Sequence, residues 1–234
     1  MGGIHGNEPA GVLAAERVLQ ALEARQTEAH GTFIAFRGNT RALAQQIRYL
    51  EDDLNRMWSA ERVQALQTAR DPESASPESQ ELLELLSSLN EAIGASDGPV
   101  YLLDLHTTSA DGAPFATIGD TLRNRKFARS FPLPVILGLE EQIDGPMLEY
   151  MNDRGVITMG VEGGQHDSPK SIDTHEAVLW NALVRAGVIA REEIPNFQYH
   201  RDHLRSSSNG APGLMAIRYR HDIKSKDKFV MDPG

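Results

Sequence analysis

The 234 residues are 40% hydrophobic and 24% charged, the balance of a soluble globular protein with room for one large domain, or for one domain and part of another. A net charge of −10 opposes a nucleic-acid partner, which needs clustered Lys and Arg, and no stretch approaches the ~20 apolar residues of a membrane span. Neither a basic region nor an apolar run follows Met1, so no signal peptide is expected and the cytoplasm is the expected compartment; the lack of cysteine excludes disulfides and thiolate ligands, leaving His, Asp and Glu to build any metal site.

Asn7-Glu8-Pro9 opens the first predicted helix, with Asn7 as N-cap and Pro9 in the first turn. Val12, Ala15, Val18, Leu19 and Leu22 follow at helical spacing. A strand is predicted over Thr32–Phe36, then a Gly38-Asn39 turn, a helix over Ser59–Ala69 and a polar loop over Asp71–Pro77. Leu82, Leu85, Leu86 and Leu89 mark another amphipathic helix. Val100–Leu105, an apolar run broken only by Asp104, reads as a buried strand. Further strands are predicted at Phe115–Ile118, Val135–Leu137 and Val156–Val161, and helices at Met147–Asn152 and Ile172–Ala186. This alternation predicts an α/β fold, a mainly parallel or mixed sheet with helices on both faces. Helical periodicity stops near Asn196. Leu214–Tyr219 and Phe229–Met231 read as short strands, so residues 1–195 are expected to form one domain and 196–234 the start of a small β-rich one. There are no internal repeats.

Ligands of open α/β sheets bind where strands end, and the polar residues at those points carry the chemistry. His5 and Glu8, three residues apart at a loop running into a helix, can reach one ion. Asp104-Leu105-His106-Thr107-Thr108 ends a strand with a second imidazole. Two His and one carboxylate with an open fourth position make a catalytic zinc site, although each piece alone is more often structural. Val161-Glu162-Gly163-Gly164 puts another carboxylate at a strand end, where it either takes a proton from water or is a helix-capping or surface acid. Between Arg48 and Arg56, two arginines and Asn55 form either a carboxylate clamp or a solvated mixed-charge loop.

Together these pieces resemble a known series. His5-x-x-Glu8, Arg48, Asn55-Arg56, His106 and Glu162 follow, in order, the active-site residues of the zinc carboxypeptidase superfamily. Gly3-x-His5-Gly6-Asn7-Glu8, Arg48-Tyr49-x-x-x-Asp53-Leu54-Asn55-Arg56 and Asp104-Leu105-His106-x-Thr108 narrow it to the succinylglutamate desuccinylase/aspartoacylase branch. The resemblance runs from Gly2 to about Gly164 and implies a zinc carboxypeptidase-like fold with one Zn²⁺ per chain, held by His5, Glu8 and His106. It also implies roles. Glu162 would be the general base and later the acid, Arg48 would stabilise the oxyanion, and Asn55 and Arg56 would bind the substrate carboxylate. Asp53 would orient a ligand imidazole. Asp104, on the strand face of His106, either does the same or is a buried, hydrogen-bonded acid.

The implied activity is cleavage of a small amide, the deacylation of an N-acyl amino acid. Carboxypeptidase-like or ester cleavage, or an inactive metal-binding fragment, are the alternatives. The partner is a small-molecule carboxylate, and a homo-oligomer stays open. A strand preceding the first motif and the rest of a C-terminal β domain are expected to be missing. Aspartoacylases carry an arginine ten residues before the general base, where this chain has Asn152, so acyl-aspartate specificity is not implied. His166 and His175 line the pocket or serve surface and structural roles, the latter being favoured.

Overall fold

The computed structural model describes residues 1–69, 75–194 and 196–230. Its longest strand is β4, Ile157–Gln165. On one side β4 pairs in parallel with β1, Tyr101–Thr108, from Tyr101↔Ile157 to His106↔Glu162. On the other it runs antiparallel to β2, Phe115–Ile118, which pairs in parallel with β3, Val135–Leu137, and β3 with β5, Leu214–Ala216. The sheet is therefore mixed, in the order β1-β4-β2-β3-β5. Beyond β1 the first residues add a short rung. The Leu105 N–H donates to Met1 O, the Gly2 N–H to Phe36 O and the Gly38 N–H to Gly2 O.

Helices cover both faces, as expected of alternating strands and helices. Leu105, Met159 and Val161 pack in one core with Ala14 and Val18 of α1, Ala10–Arg25, and with Val178, Trp180 and Ala182 of α7, Pro169–Ala186. Leu102 belongs to a second core. It contains Val63 of α3, Ala60–Gln67, Leu82, Leu85, Leu86 and Leu89 of α4, Pro77–Gly94, and Met147, Leu148 and Met151 of α6, Met147–Asp153. Residues of even number on β1 point to this second face, so Asp104 and His106 lie on the side of α4 and α6. Two short helices are α2, Thr40–Gln45, capped by Asn39, and α5, Leu122–Ala128, capped by Thr121. Among the described residues, no helix is long and apolar enough to cross a membrane.

Several local expectations are corrected. Asn7 does not cap α1: the helix begins after Pro9, and its N-cap makes no side-chain hydrogen bond. Residues His5–Glu8 instead close a turn, with the Glu8 N–H donating to His5 O, which turns Glu8 inward. Thr32–Phe36 forms no strand, because Met1–Gly3 reaches only its far end. Helical structure does not stop at Asn196 either. Phe197–Ser207 is a helix, α8, lying against α7 through His203 and Thr174, 3.2 Å apart, and through Arg201, which donates to Asn181. Only Phe197 and Leu204 of α8 are buried, so few apolar residues mark its inner face in a stretch that is polar overall. Of the strands expected beyond it, Leu214–Tyr219 forms only over Leu214–Ala216, which joins the main sheet, while Phe229 and Val230 are not strand. Met231 and most of the Asp71–Pro77 loop lie outside the described residues.

Candidate metal centre and active site

The first imidazole is placed by a close crossing of two chains. A Cβ on Gly6 would stand 2.1 Å from the Ala42 carbonyl carbon, so only glycine lets the His5–Glu8 turn press against α2. The Gly6 N–H donates to Arg48 O, tying this turn to the loop 48–56. The second imidazole arrives on the last turns of β1, and the Thr107 N–H donates to Glu8 Oε2 at 2.9 Å. The sheet end and the turn thus share one carboxylate.

Both imidazoles are oriented alike. His5 Nδ1 lies 3.0 Å from Glu8 Oε1, and its Nε2 lies 3.1 Å from Asp53 Oδ1. His106 Nδ1 lies 3.1 Å from Glu8 Oε2, and its Nε2 lies 2.9 Å from Asp104 Oδ2. Each ring therefore turns Nδ1 toward a common point beside Glu8 and rests its far nitrogen on a carboxylate. Carboxylates behind metal-binding histidines fix tautomer and ring orientation in this way. One ligand atom from each of His5, Glu8 and His106 lies within 4.8 Å of the others, the compass of a single ion. Two imidazoles and one carboxylate, with no thiolate, suit zinc.

The electrostatics follow from burial and pairing. Burial pushes the Glu8 carboxyl up, but hydrogen bonds from His106 and His5 and their charges outweigh it and hold the carboxyl well below its ordinary range. Asp53 is likewise held low, burial being overcome by His5 and Arg48. Burial lowers His106, yet the charge and hydrogen bond of Asp104, with Glu8, raise it well above the usual value.

Glu162 stands opposite His106 in the β1–β4 register, on the same face. One of its carboxylate oxygens is buried with no hydrogen-bond partner. Burial, with Glu8 and Asp104 nearby and partly countered by His106, pushes Glu162 up to about 7. Arg48 donates from Nη2 and Nε to Asp53 Oδ2, at 3.0 and 3.3 Å, and from Nη1 to Glu8 Oε1 at 3.5 Å. The Asn55 amide is fixed: Oδ1 accepts the Met147 N–H at 3.0 Å, and Nδ2 lies 3.4 Å from His106 Nε2. Arg56 is exposed, with Nη1 donating to Asn55 O. Close packing holds this loop from behind, where a Cβ on Gly145 would come within 2.7 Å of Arg56 O.

The structure thus gathers His5, Glu8, His106, Asp53, Asp104, Arg48 and Asn55 through direct contacts, sets Glu162 beside them and leaves Arg56 at the solvent side. Asp104 is completely buried and lies within hydrogen-bond distance of His106, the arrangement of the buried, hydrogen-bonded acid. His166 reaches Thr107 Oγ1 at 2.7 Å. His175 is fully buried on α7; its Nε2–H donates to His106 O at 2.9 Å, and its ring lies over Gly163, where a Cβ would meet it at 2.5 Å. A sequence signal for this existed: His175 falls on the buried stripe with Ser171, Val178 and Ala182. Asn152 is turned to Arg123 and Asn124, both of which donate to its Oδ1.

The description "Succinylglutamate desuccinylase/Aspartoacylase catalytic domain" belongs to a family whose model matches residues 1–179. No curated protein matches closely enough to count as a relative. Among solved structures, the succinylglutamate desuccinylase from Chromobacterium violaceum is 20% identical, with a TM-score of 0.62, over 82% of this chain and 63% of its own. The product-bound ectoine utilization protein EutE from Ruegeria pomeroyi is 20% identical, TM-score 0.61, over 80% and 56%. Murine aminoacylase 3 is 20% identical, TM-score 0.54, over 89% and 61%. At such identities the likeness is one of fold. This chain spans between 56% and 63% of the length of these proteins.

Proposed function

Because the chain belongs to the succinylglutamate desuccinylase/aspartoacylase family, we propose that it is a zinc-dependent amidohydrolase that deacylates a small N-acyl amino acid, with one zinc held by His5, Glu8 and His106. The observation that carries this reading is the paired orientation of the two imidazoles, each presenting Nδ1 toward Glu8 and backed at Nε2 by Asp53 or Asp104. A bound zinc ion supplies Lewis acidity to a water and to the scissile carbonyl.

The rest is done by side chains. Glu162, whose pKa of about 7 suits proton exchange near neutrality, takes a proton from the attacking water and returns it to the leaving amine. Arg48 stabilises the charge that grows on the carbonyl oxygen; its bonds to Asp53 and Glu8 hold the guanidinium beforehand. Since the Met147 N–H occupies Asn55 Oδ1, the amide presents its NH₂ to the site, the correct end for a carboxylate. Arg56 adds a planar, bidentate partner for the same group.

The test is zinc titration of the purified chain, followed by amine release from a panel of N-acyl amino acids before and after chelation. One zinc per chain and chelator-sensitive release are expected. Substoichiometric zinc at saturating concentrations would reject the reading.

A further inference from the structure

We infer that Glu78 is a positioning residue that sets the loop 48–56 against the metal centre. In its catalytic meaning the inference rests on the proposed deacylase reading; in its structural meaning it does not. Between Arg48, whose carbonyl takes the Gly6 N–H, and Asp53, which backs His5, the backbone has to turn without a regular partner. Its three N–H groups at Leu50, Glu51 and Asp52 converge on one carboxylate. Leu50 N donates to Glu78 Oε1 at 2.7 Å, and Glu51 N and Asp52 N donate to Oε2 at 3.2 and 3.3 Å. A fourth donor, Asn39 Nδ2, reaches Oε1 at 2.9 Å from the cap of α2. Among the described residues the three loop N–H groups have no other acceptor.

Glu78 is completely buried, and none of these four partners is a cation. An isolated buried carboxylate is costly, so its burial is sustained by the four donors and by the N-terminus of α4, in whose first turn it stands. Burial pushes the carboxyl up, but the Leu50 N–H, Asn39 and the other loop amides outweigh it and keep it ionised, below its ordinary value. A chain of contacts follows: Glu78 to the loop amides, the loop to Asp53, Asp53 to both His5 and Arg48. A neutral side chain at 78 cannot accept all four donors, and the slack reaches His5 and the guanidinium together.

The test is Glu78→Gln in the full chain, read by hydrogen–deuterium exchange, zinc competition and kinetics. Exchange at the Leu50, Glu51 and Asp52 amides is expected to quicken at least about tenfold, the loss of a charge-assisted bond, while amides in the middle of α4 and β1 hold. Zinc should bind several-fold more weakly, and KM for an N-acyl amino acid should rise. Unchanged exchange at 50–52 overturns the inference, and so does uniform acceleration through α4 and β1, which would mark a general loss of stability. Should Glu78→Gln not fold, Glu78→Asp, which keeps the charge but shortens the reach, is read in the same way. Local acceleration with weaker zinc binding in a chain that cleaves no N-acyl amino acid would support the loop anchor and reject only the deacylase reading.

Discussion

Asp104 Oδ2 lies 2.9 Å from His106 Nε2, so the buried acid grips the imidazole by the nitrogen that faces away from Glu8. Removing that grip frees the ring to rotate and to adopt the other tautomer. Asp104→Asn is expected to weaken zinc binding by about 10- to 100-fold, the usual effect of losing a carboxylate behind a ligand histidine. Competition with a chelator of known affinity measures it. Wild-type affinity in the variant would mean that Asp104 is only a buried acid.

No hydrogen bond or ion pair joins Glu162 to either imidazole, and its free carboxylate oxygen suits proton transfer better than ligation. Glu162→Gln should keep one zinc per chain while hydrolysis falls by about 10²- to 10⁴-fold. Metal analysis beside single-turnover kinetics checks this. Loss of zinc in the variant would make Glu162 a ligand.

Arg48 and Arg56 should separate kinetically. Arg48→Ala is expected mainly to lower kcat, because its contact strengthens as the oxyanion forms. Arg56→Ala should mainly raise KM for carboxylate substrates, and Arg56→Lys should rescue poorly because an ammonium lacks the planar fork. Normal KM after Arg56→Ala removes the clamp from the mechanism.

Two buried groups oppose one another in acid. Burial, with Glu141 nearby, pushes Glu140 up from 4.5 to about 7, so its contribution to stability is present below pH 4.5 and is lost as pH rises toward 7. Burial lowers His175 from 6.5 to about 4, so its contribution is present above pH 6.5 and is lost as pH falls through 4. Glu140→Gln should stabilise the chain at pH 8 by about 1–3 kcal/mol and have little effect at pH 4.5. Urea unfolding at both values decides it; an equal effect at both would show that Glu140 is not the titrating group.

Gly163 has no room for a methyl group, since the His175 ring would meet it at 2.5 Å. Gly163→Ala is expected to destabilise by about 1–3 kcal/mol. Most of that should be recovered when His175→Ala is added, and thermal melts of the three variants give the coupling. Additive losses would mean that the glycine is needed for another reason.

The elements that carry His106 and Glu162 were legible because apolar runs bounded by polar residues mark strand ends, and Phe115–Ile118 and Val135–Leu137 came out with their expected bounds. The His5–Glu8 pairing was legible from spacing. Asn7 has the right chemistry for a cap, yet Glu8 is drawn inward and the helix starts later, a preference set by the His5–Glu8 turn. α8 hid behind a polar sequence with two buried residues. Glu78 left no mark at all: a carboxylate that receives backbone N–H groups needs no particular residue types at the donors, so nothing at 50–52 points to it.

Glu8 and His106 meet across 98 residues of chain. During synthesis the His5–Glu8 turn leaves the ribosome long before its partner. At about 5–20 residues per second the delay is roughly 5–20 s, and until it ends the nascent chain offers an ion only two of the three donors proposed for it. Metal acquisition as proposed would therefore wait for β1, and the ion, once held, would clip the His5–Glu8 turn to the end of an outer strand of the five-stranded sheet.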